Sequence, residues 1–130
     1  MKAENIVATG LLLGGLAVIF GALAAHSLEK MLEPPALKSF ETAVRYQIFH
    51  AILLLFVGLW NKLSENKLPN YFFSLFVGGI LCFSGSIYLL LMLKHLQISF
   101  PSILGLITPL GGVMLIAGWF LMAVKFLKMK

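Results

Sequence analysis

Four apolar runs dominate this chain: Ile6 to Ala25, Ala43 to Trp60, Tyr71 to Leu93 and Ile103 to Val124. Arg45 is the single Lys, Arg, Asp or Glu within them. A helix needs ~20 mainly apolar residues to cross a ~30 Å hydrocarbon core, and each run has about that length. Helix breakers separate them: Pro34-Pro35 before the second, Pro69-Asn70 before the third and Pro101 before the fourth. Proline suits a helix start, where its missing N–H is not needed. The composition agrees. Of 130 residues, 60% are apolar and 12% charged, whereas soluble domains average about 45–50% and about 25%. A soluble fold this small could not hide so much apolar surface. The expected fold is therefore all-α: a polytopic membrane protein, a four-transmembrane-helix bundle in one domain, with helices over about 6–25, 35–60, 71–93 and 103–124.

Ala22-Leu23-Ala24 has the small-x-small pattern of a signal-peptide cleavage site. The charged region before the run is poor, because Lys2 is followed by Glu4, so the first run is expected to remain as a span. The second helix is expected to begin early. From Pro35 to Trp60 it would measure about 39 Å at 1.5 Å per residue, more than the hydrocarbon core. Its first two turns are expected to form an interfacial extension, with Leu37 and Phe40 toward the apolar side. Glu41 and Arg45, four residues apart, are placed to pair on one face of it.

The net charge of +5 comes from ten Lys/Arg against five Asp/Glu. The basic residues sit at the ends of the apolar runs, as in membrane proteins that meet anionic head groups. They do not form a nucleic-acid patch, and no nucleic-acid partner is expected. Four crossings put both termini on one side, with Lys2, Lys62, Lys67, Lys125, Lys128 and Lys130. The other side has Lys30, Lys38, Arg45 and Lys94. This bias favours cytoplasmic termini.

Small residues recur in the spans. Gly10, Gly14, Ala17 and Gly21 form one stripe in the first run. Gly78, Cys82, Gly85 and Ser86 lie in the third, and Gly105, Gly111, Gly112 and Gly118 in the fourth. In lipid, close backbone approach through such residues supplies packing. Gly10, Gly14, Gly21, Gly78, Gly85, Gly105 and Gly112 are expected to pack helices within the bundle or against a second copy, which makes a homo-oligomer the expected state. Cys82, the one cysteine, allows no intrachain disulfide.

Polar residues inside spans are costly and often mark function. His26 ends the first run; Tyr46, Gln47 and His50 open the second; Ser84, Ser86 and Tyr88 lie late in the third; Thr108 and Pro109 lie early in the fourth. Counted along helices, His50, Tyr88 and Thr108 are expected roughly 8–10 Å below the surface that carries the 26–42 loop. The other half offers only Thr9, Ser74 and the expected interfacial Trp60 and Trp119. Pro109 would free a carbonyl near Thr108, tolerable where polar neighbours satisfy it. Either these groups hydrogen-bond one another and fasten the bundle, or they line a cavity for a lipid head group, a small molecule or a proton. No metal is expected, since His26, His50 and His95 have no carboxylate at membrane depth except Glu41 beside Arg45. Ser84 and Ser86 lack an arranged base, and there is no phosphate-cradling loop. No cofactor is expected.

Several stretches resemble one family. They are Phe20-Gly21-Ala22-Leu23-Ala24-Ala25-His26, Thr42-Ala43-Val44-Arg45-Tyr46-Gln47-Ile48-Phe49-His50, Phe83-Ser84-Gly85-Ser86-Ile87-Tyr88 and Thr108-Pro109-Leu110-Gly111-Gly112. The chain resembles bacterial inner-membrane proteins of the YgdD and YwdK type, a domain of unknown function with a eukaryotic relative, transmembrane protein 256. Leu23-Ala24 departs from the Phe-Gly often found there. The resemblance implies four helices in a bacterial inner membrane and brings no reaction or substrate.

The first expectation for function is therefore a non-enzymatic membrane protein. It would have a polar pocket facing the 26–42 loop, with contacts from His26, Tyr46, Gln47, His50, Ser86, Tyr88 and Thr108. It would bind a lipid or small amphiphile, or support assembly with another membrane protein. The alternatives are a small oligomeric transporter or channel, which needs a polar path to the other surface, and a membrane enzyme acting on a lipid or quinone.

Overall fold

The computed structural model describes residues 1–129, so Lys130, counted above on the terminus side, lies outside the described residues. α1 spans Ala3–His26 and α2 spans Pro34–Leu63. The third crossing, Tyr71–His95, is built from α3 (Tyr71–Ile80), a wide π-turn (Leu81–Gly85) and α4 (Ser86–His95). A 3₁₀ turn over Ser102–Leu106 leads into α5, Ile107–Leu127. Four crossings are thus long and apolar enough to span a membrane. No strand occurs among the described residues.

Each boundary has a local cause. Pro34 and Pro35 occupy the first positions of α2, where helical N–H groups lack intrahelical partners anyway. α2 then runs unbroken for 30 residues, about 45 Å. Its early turns do more than lie along the interface. Phe40 is buried, and its ring meets Phe20 of α1 and Tyr88 of α4. The third crossing ends at a Schellman turn: Ile98 N–H donates to the Leu93 carbonyl at 3.0 Å and Gln97 N–H to the Lys94 carbonyl at 3.1 Å. Gln97 takes a left-handed φ of 55° to make it.

The crossings are arranged side by side. α1 lies along α2, the third crossing lies against α2, and α5 lies along the third crossing. Ile6, Leu54, Val57, Phe72, Phe76 and Leu115 form a buried apolar core toward the termini. Outward-facing Leu11, Leu12, Val18, Val113, Ile116 and Phe120 are exposed, as lipid-facing side chains are.

Glycines set the spacing, though not all of those expected. Gly111 is the tightest position. A methyl group there would fall on the backbone N of Phe83 and within 2.6 Å of the Cys82 carbonyl carbon. The π-turn of the third crossing therefore touches α5 backbone to backbone. Gly10 and Gly58 let α1 and α2 approach, and Gly78, Gly79 and Gly118 admit Met114, Leu115 and Phe76. Gly14, Gly21 and Gly112 are in ordinary contact with Ala51, Val44 and Phe83. Gly105 faces open space and Gly85 meets only the Ile80 carbonyl of its own turn. Neither brings two crossings of one chain together, because neither points at a neighbour.

Candidate functional site

The polar residues form three knots rather than one layer. The first joins α1, α2 and α4. Gln47, buried, donates through Nε2 to the Leu13 carbonyl at 2.8 Å and accepts the Tyr88 hydroxyl at Oε1, 3.0 Å away. The Tyr88 ring lies against Phe20 and Phe40, with centroids 4.7 and 4.8 Å apart. Helical periodicity puts Gln47 and Phe40 seven residues apart on one face of α2, so that face holds both partners of Tyr88.

The second knot ties the π-turn to its neighbours. Ser84, 1% exposed, donates to the Ala43 carbonyl at 2.7 Å. Ser86 lies 3.0 Å from the Phe83 carbonyl and 2.6 Å from the Thr108 hydroxyl. The Phe83 carbonyl inside the π-turn thus accepts both the backbone N–H and the hydroxyl of Ser86. Pro109 falls in the first turn of α5, just after the 3₁₀ turn.

The third knot is centred on His50, which is 3% exposed. Its Nδ1 lies 2.7 Å from the Tyr46 carbonyl, and its Nε2 accepts the indole N–H of Trp119 at 3.0 Å. An indole only donates, so Nε2 carries no proton and Nδ1–H donates to Tyr46. His50 is thus held as one neutral tautomer. The Tyr46 ring, half outside the protein, lies against His50 and Phe83.

These placements change four expectations. Thr108 and Trp119 are eleven residues apart on α5, about 16 Å at 1.5 Å per residue. Ser86 and His50 bond to α5 at these two different levels, so the polar groups are spread along the bundle instead of forming one layer. Trp119, expected as an interfacial residue of the other half, is the hydrogen-bond partner of His50; long side chains bridge levels that residue counting treats as separate. His26 is exposed and joins none of the knots. Glu41 and Arg45 are both exposed and form no ion pair; among the described residues the ion pair is Lys62–Glu4, 3.8 Å.

The expected polar pocket is also changed in character. No buried side-chain N or O among the described residues lacks a partner, so Gln47, Ser84, Ser86 and His50 are already engaged. Toward the 26–42 loop a pocket of about 150 Å³ lies under the strap Leu28–Leu32, and its wall is almost wholly apolar. Leu28, Met31, Leu32, Phe40, Leu91 and Met92 line it, with Tyr88 and His95. Tyr88 is the one expected contact that reaches it. Tyr46 and His50 instead border a shallow lipid-facing groove with Arg45, Phe49, Ile52 and Trp119. Toward the termini, Ile6, Leu54, Val57, Phe72 and Phe76 fill the interior of the single chain. Among the described residues no three His, Cys, Asp or Glu gather where they could hold a metal ion.

Comparison with known proteins gives this arrangement a family. The model of a family described as a protein of unknown function, DUF423, matches residues 20–112. The chain belongs to the DUF423 family. Residues 20–112 run from Phe20 of the first knot to Gly112, and they contain Gln47, His50, Ser84, Ser86, Tyr88, Thr108 and Gly111. The chain is 40% identical to the UPF0382 membrane protein YwdK of Bacillus subtilis, over 87% of this chain and 88% of that one. It is 38% identical to a UPF0382 membrane protein of Haemophilus influenzae, over 90% and 89%. A UPF0382 membrane protein of the fission yeast Schizosaccharomyces pombe is 37% identical over 95% of this chain and its own full length. The family's resemblance read from the sequence, including a eukaryotic branch, therefore holds. No solved structure matches. The DUF423 chain is a membrane protein with four spans.

Proposed function

We propose that this DUF423 protein is non-enzymatic and binds the apolar chain of a lipid or small amphiphile in the pocket under the Leu28–Leu32 strap. The observation that carries this reading is the pocket's wall, built from Leu28, Met31, Leu32, Phe40, Leu91 and Met92. An apolar cavity of about 150 Å³ can hold a guest as large as benzene, so the pocket suits a chain end rather than a whole ligand. Its contents would be hydrocarbon, because the neighbouring polar side chains already bond one another. The Tyr88 ring and His95 complete the lining, and the Tyr88 hydroxyl is turned to Gln47. We place the protein in a bacterial inner membrane with cytoplasmic termini, on the strength of Lys2, Lys62, Lys67, Lys125 and Lys128 on the terminus side. Self-association, or assembly with another membrane protein, belongs to the same proposal.

The test is photolabelling of the protein in its own membrane with a fatty acid that carries a diazirine at its chain end. Adducts are expected on the strap and α4, at Met31, Leu91 or Met92. Met92→Trp, which fills the pocket, should suppress them. Adducts scattered over lipid-facing α1 and α5, unchanged by Met92→Trp, would overturn the reading. Native mass spectrometry of the same preparation reports subunit number and any retained lipid.

A further inference from the structure

A second cavity, about 800 Å³ and open to water, lies at the opposite surface, where the termini are. Lys2, Glu4, Asn61, Lys62, Lys67 and Asn70 line it. Lys2 precedes α1, and Lys62 is in the last turn of α2, so the cavity sits where spans leave the hydrocarbon. Phospholipid phosphates lie at that level.

Its geometry is built rather than incidental. Lys67 stands on the short connection between α2 and α3, and that connection is pinned at three places. Asn61, buried, donates to the Leu68 carbonyl at 3.1 Å and accepts the Leu68 N–H at 2.6 Å. The Trp60 indole N–H donates to the Asn66 carbonyl at 2.8 Å, and the Asn66 N–H donates to the Ser64 hydroxyl at 3.1 Å. Leu68, 2% exposed, anchors the connection in the core. These bonds hold Lys67 over the same opening as Lys2 and Lys62. Glu4, the one side-chain carboxylate among the described residues that lines the cavity, is paired with Lys62 at 3.8 Å. Among the described residues, Lys2 and Lys67 face it without a counter-charge. Like charges gathered in one concavity raise the local concentration of anions. The first turns of α1 and α3 open on the same space without a side-chain cap, which adds to the positive field.

We propose that this cavity is an anion site for a phosphate ester, with Lys2 and Lys67 as its principal contacts. The ester is supplied either by an anionic phospholipid or by a soluble molecule. The site is separate from the apolar pocket, which lies at the other surface, and stands or falls independently of it.

The experiment uses the full chain in phosphatidylcholine nanodiscs with a minor fraction of phosphatidylglycerol. Native mass spectrometry after mild release counts the retained phosphatidylglycerol. In parallel, glycerol 3-phosphate is titrated by calorimetry into the protein in pure phosphatidylcholine discs. The double variant Lys2→Gln/Lys67→Gln leaves the Lys62–Glu4 pair intact; Lys38→Gln/Lys94→Gln, on the other surface, is the control. Circular dichroism verifies that both keep the wild-type helix content. Retention or binding should fall by about fivefold for each cavity lysine removed and stay unchanged in the control. Loss in the lipid arm alone identifies a phospholipid, and loss in the calorimetric arm identifies a soluble ester. Retention that is unchanged in the double variant, or that falls equally in the control, with no glycerol 3-phosphate binding, overturns the proposal.

Discussion

The indole N–H of Trp119 donates to Nε2 of His50 at 3.0 Å, joining two crossings whose partners are 69 residues apart in sequence. The bond fixes the imidazole tautomer and links α5 to α2 through side chains. Hydrogen bonds between helices in lipid are worth ~0.6–2 kcal/mol. Trp119→Phe keeps the ring and removes the donor, so it should lose about 1 kcal/mol. His50→Ala should lose more, since it also strands the indole. In a double-mutant cycle the two should couple by roughly 0.6–2 kcal/mol. Unfolding in mixed micelles measures it, and additive losses would show that the bond contributes nothing.

The contact between Gly111 and the backbone of Cys82 and Phe83 leaves no room for a side chain. Backbone cannot rotate aside as a side-chain tip can. Gly111→Ala should therefore destabilise by about 1–3 kcal/mol, as overpacking does. Gly105→Ala, with nothing within 4 Å, should stay within about 0.5 kcal/mol of wild type. Thermal unfolding in one detergent compares them; equal behaviour would mean that the contact between the π-turn and α5 is looser than 2.6 Å approaches allow.

Gln47 links three helices, while Tyr88 is held at Gln47 by one hydroxyl and at Phe20 and Phe40 by its ring. Tyr88→Phe keeps the ring packing and should lose only about 0.6–1.7 kcal/mol. Gln47→Leu should lose more, because it strands the Tyr88 hydroxyl as well as removing both bonds. The order of the two losses, read from unfolding midpoints, is the test. A more damaging Tyr88→Phe would contradict this geometry.

Gln97 adopts φ 55° to close the Schellman turn. The left-handed region costs an L-residue roughly 1–2 kcal/mol, which glycine avoids. Part of that gain is lost to glycine's freer unfolded chain. Gln97→Gly should stabilise by about 0.5–1 kcal/mol, and a lowered midpoint would refute the assignment of strain.

Membership of the family and the four crossings were legible because both are written in short, local patterns. The Thr-Ala-Val-Arg-Tyr-Gln-Ile-Phe-His stretch from Thr42 to His50 is contiguous, and so is each apolar run. Crossing a bilayer needs only length and apolarity, which a one-dimensional reading supplies. The polar residues worth attention were visible for the same reason, since Gln47, His50, Ser86, Tyr88 and Thr108 interrupt apolar sequence.

What they do to one another was decided by tertiary structure. Residue counting along ideal helices gave His50 and Thr108 one depth. The long early part of α2 packs inside the bundle through Phe40, and α5 is docked at Gly111, so His50 meets Trp119 instead. The π-turn at Leu81–Gly85 left no recognisable mark in sequence, because it is settled jointly by the approach of Gly111 and the bonds of Ser84 and Ser86. Likewise, the pocket under Leu28–Leu32 and the cavity at Lys2 and Lys67 exist only once separate segments fold over one another. Apolarity along the chain determines that a segment enters the membrane. Which face meets which neighbour depends on close packing and on pairing every buried donor, and those are properties of the assembled crossings.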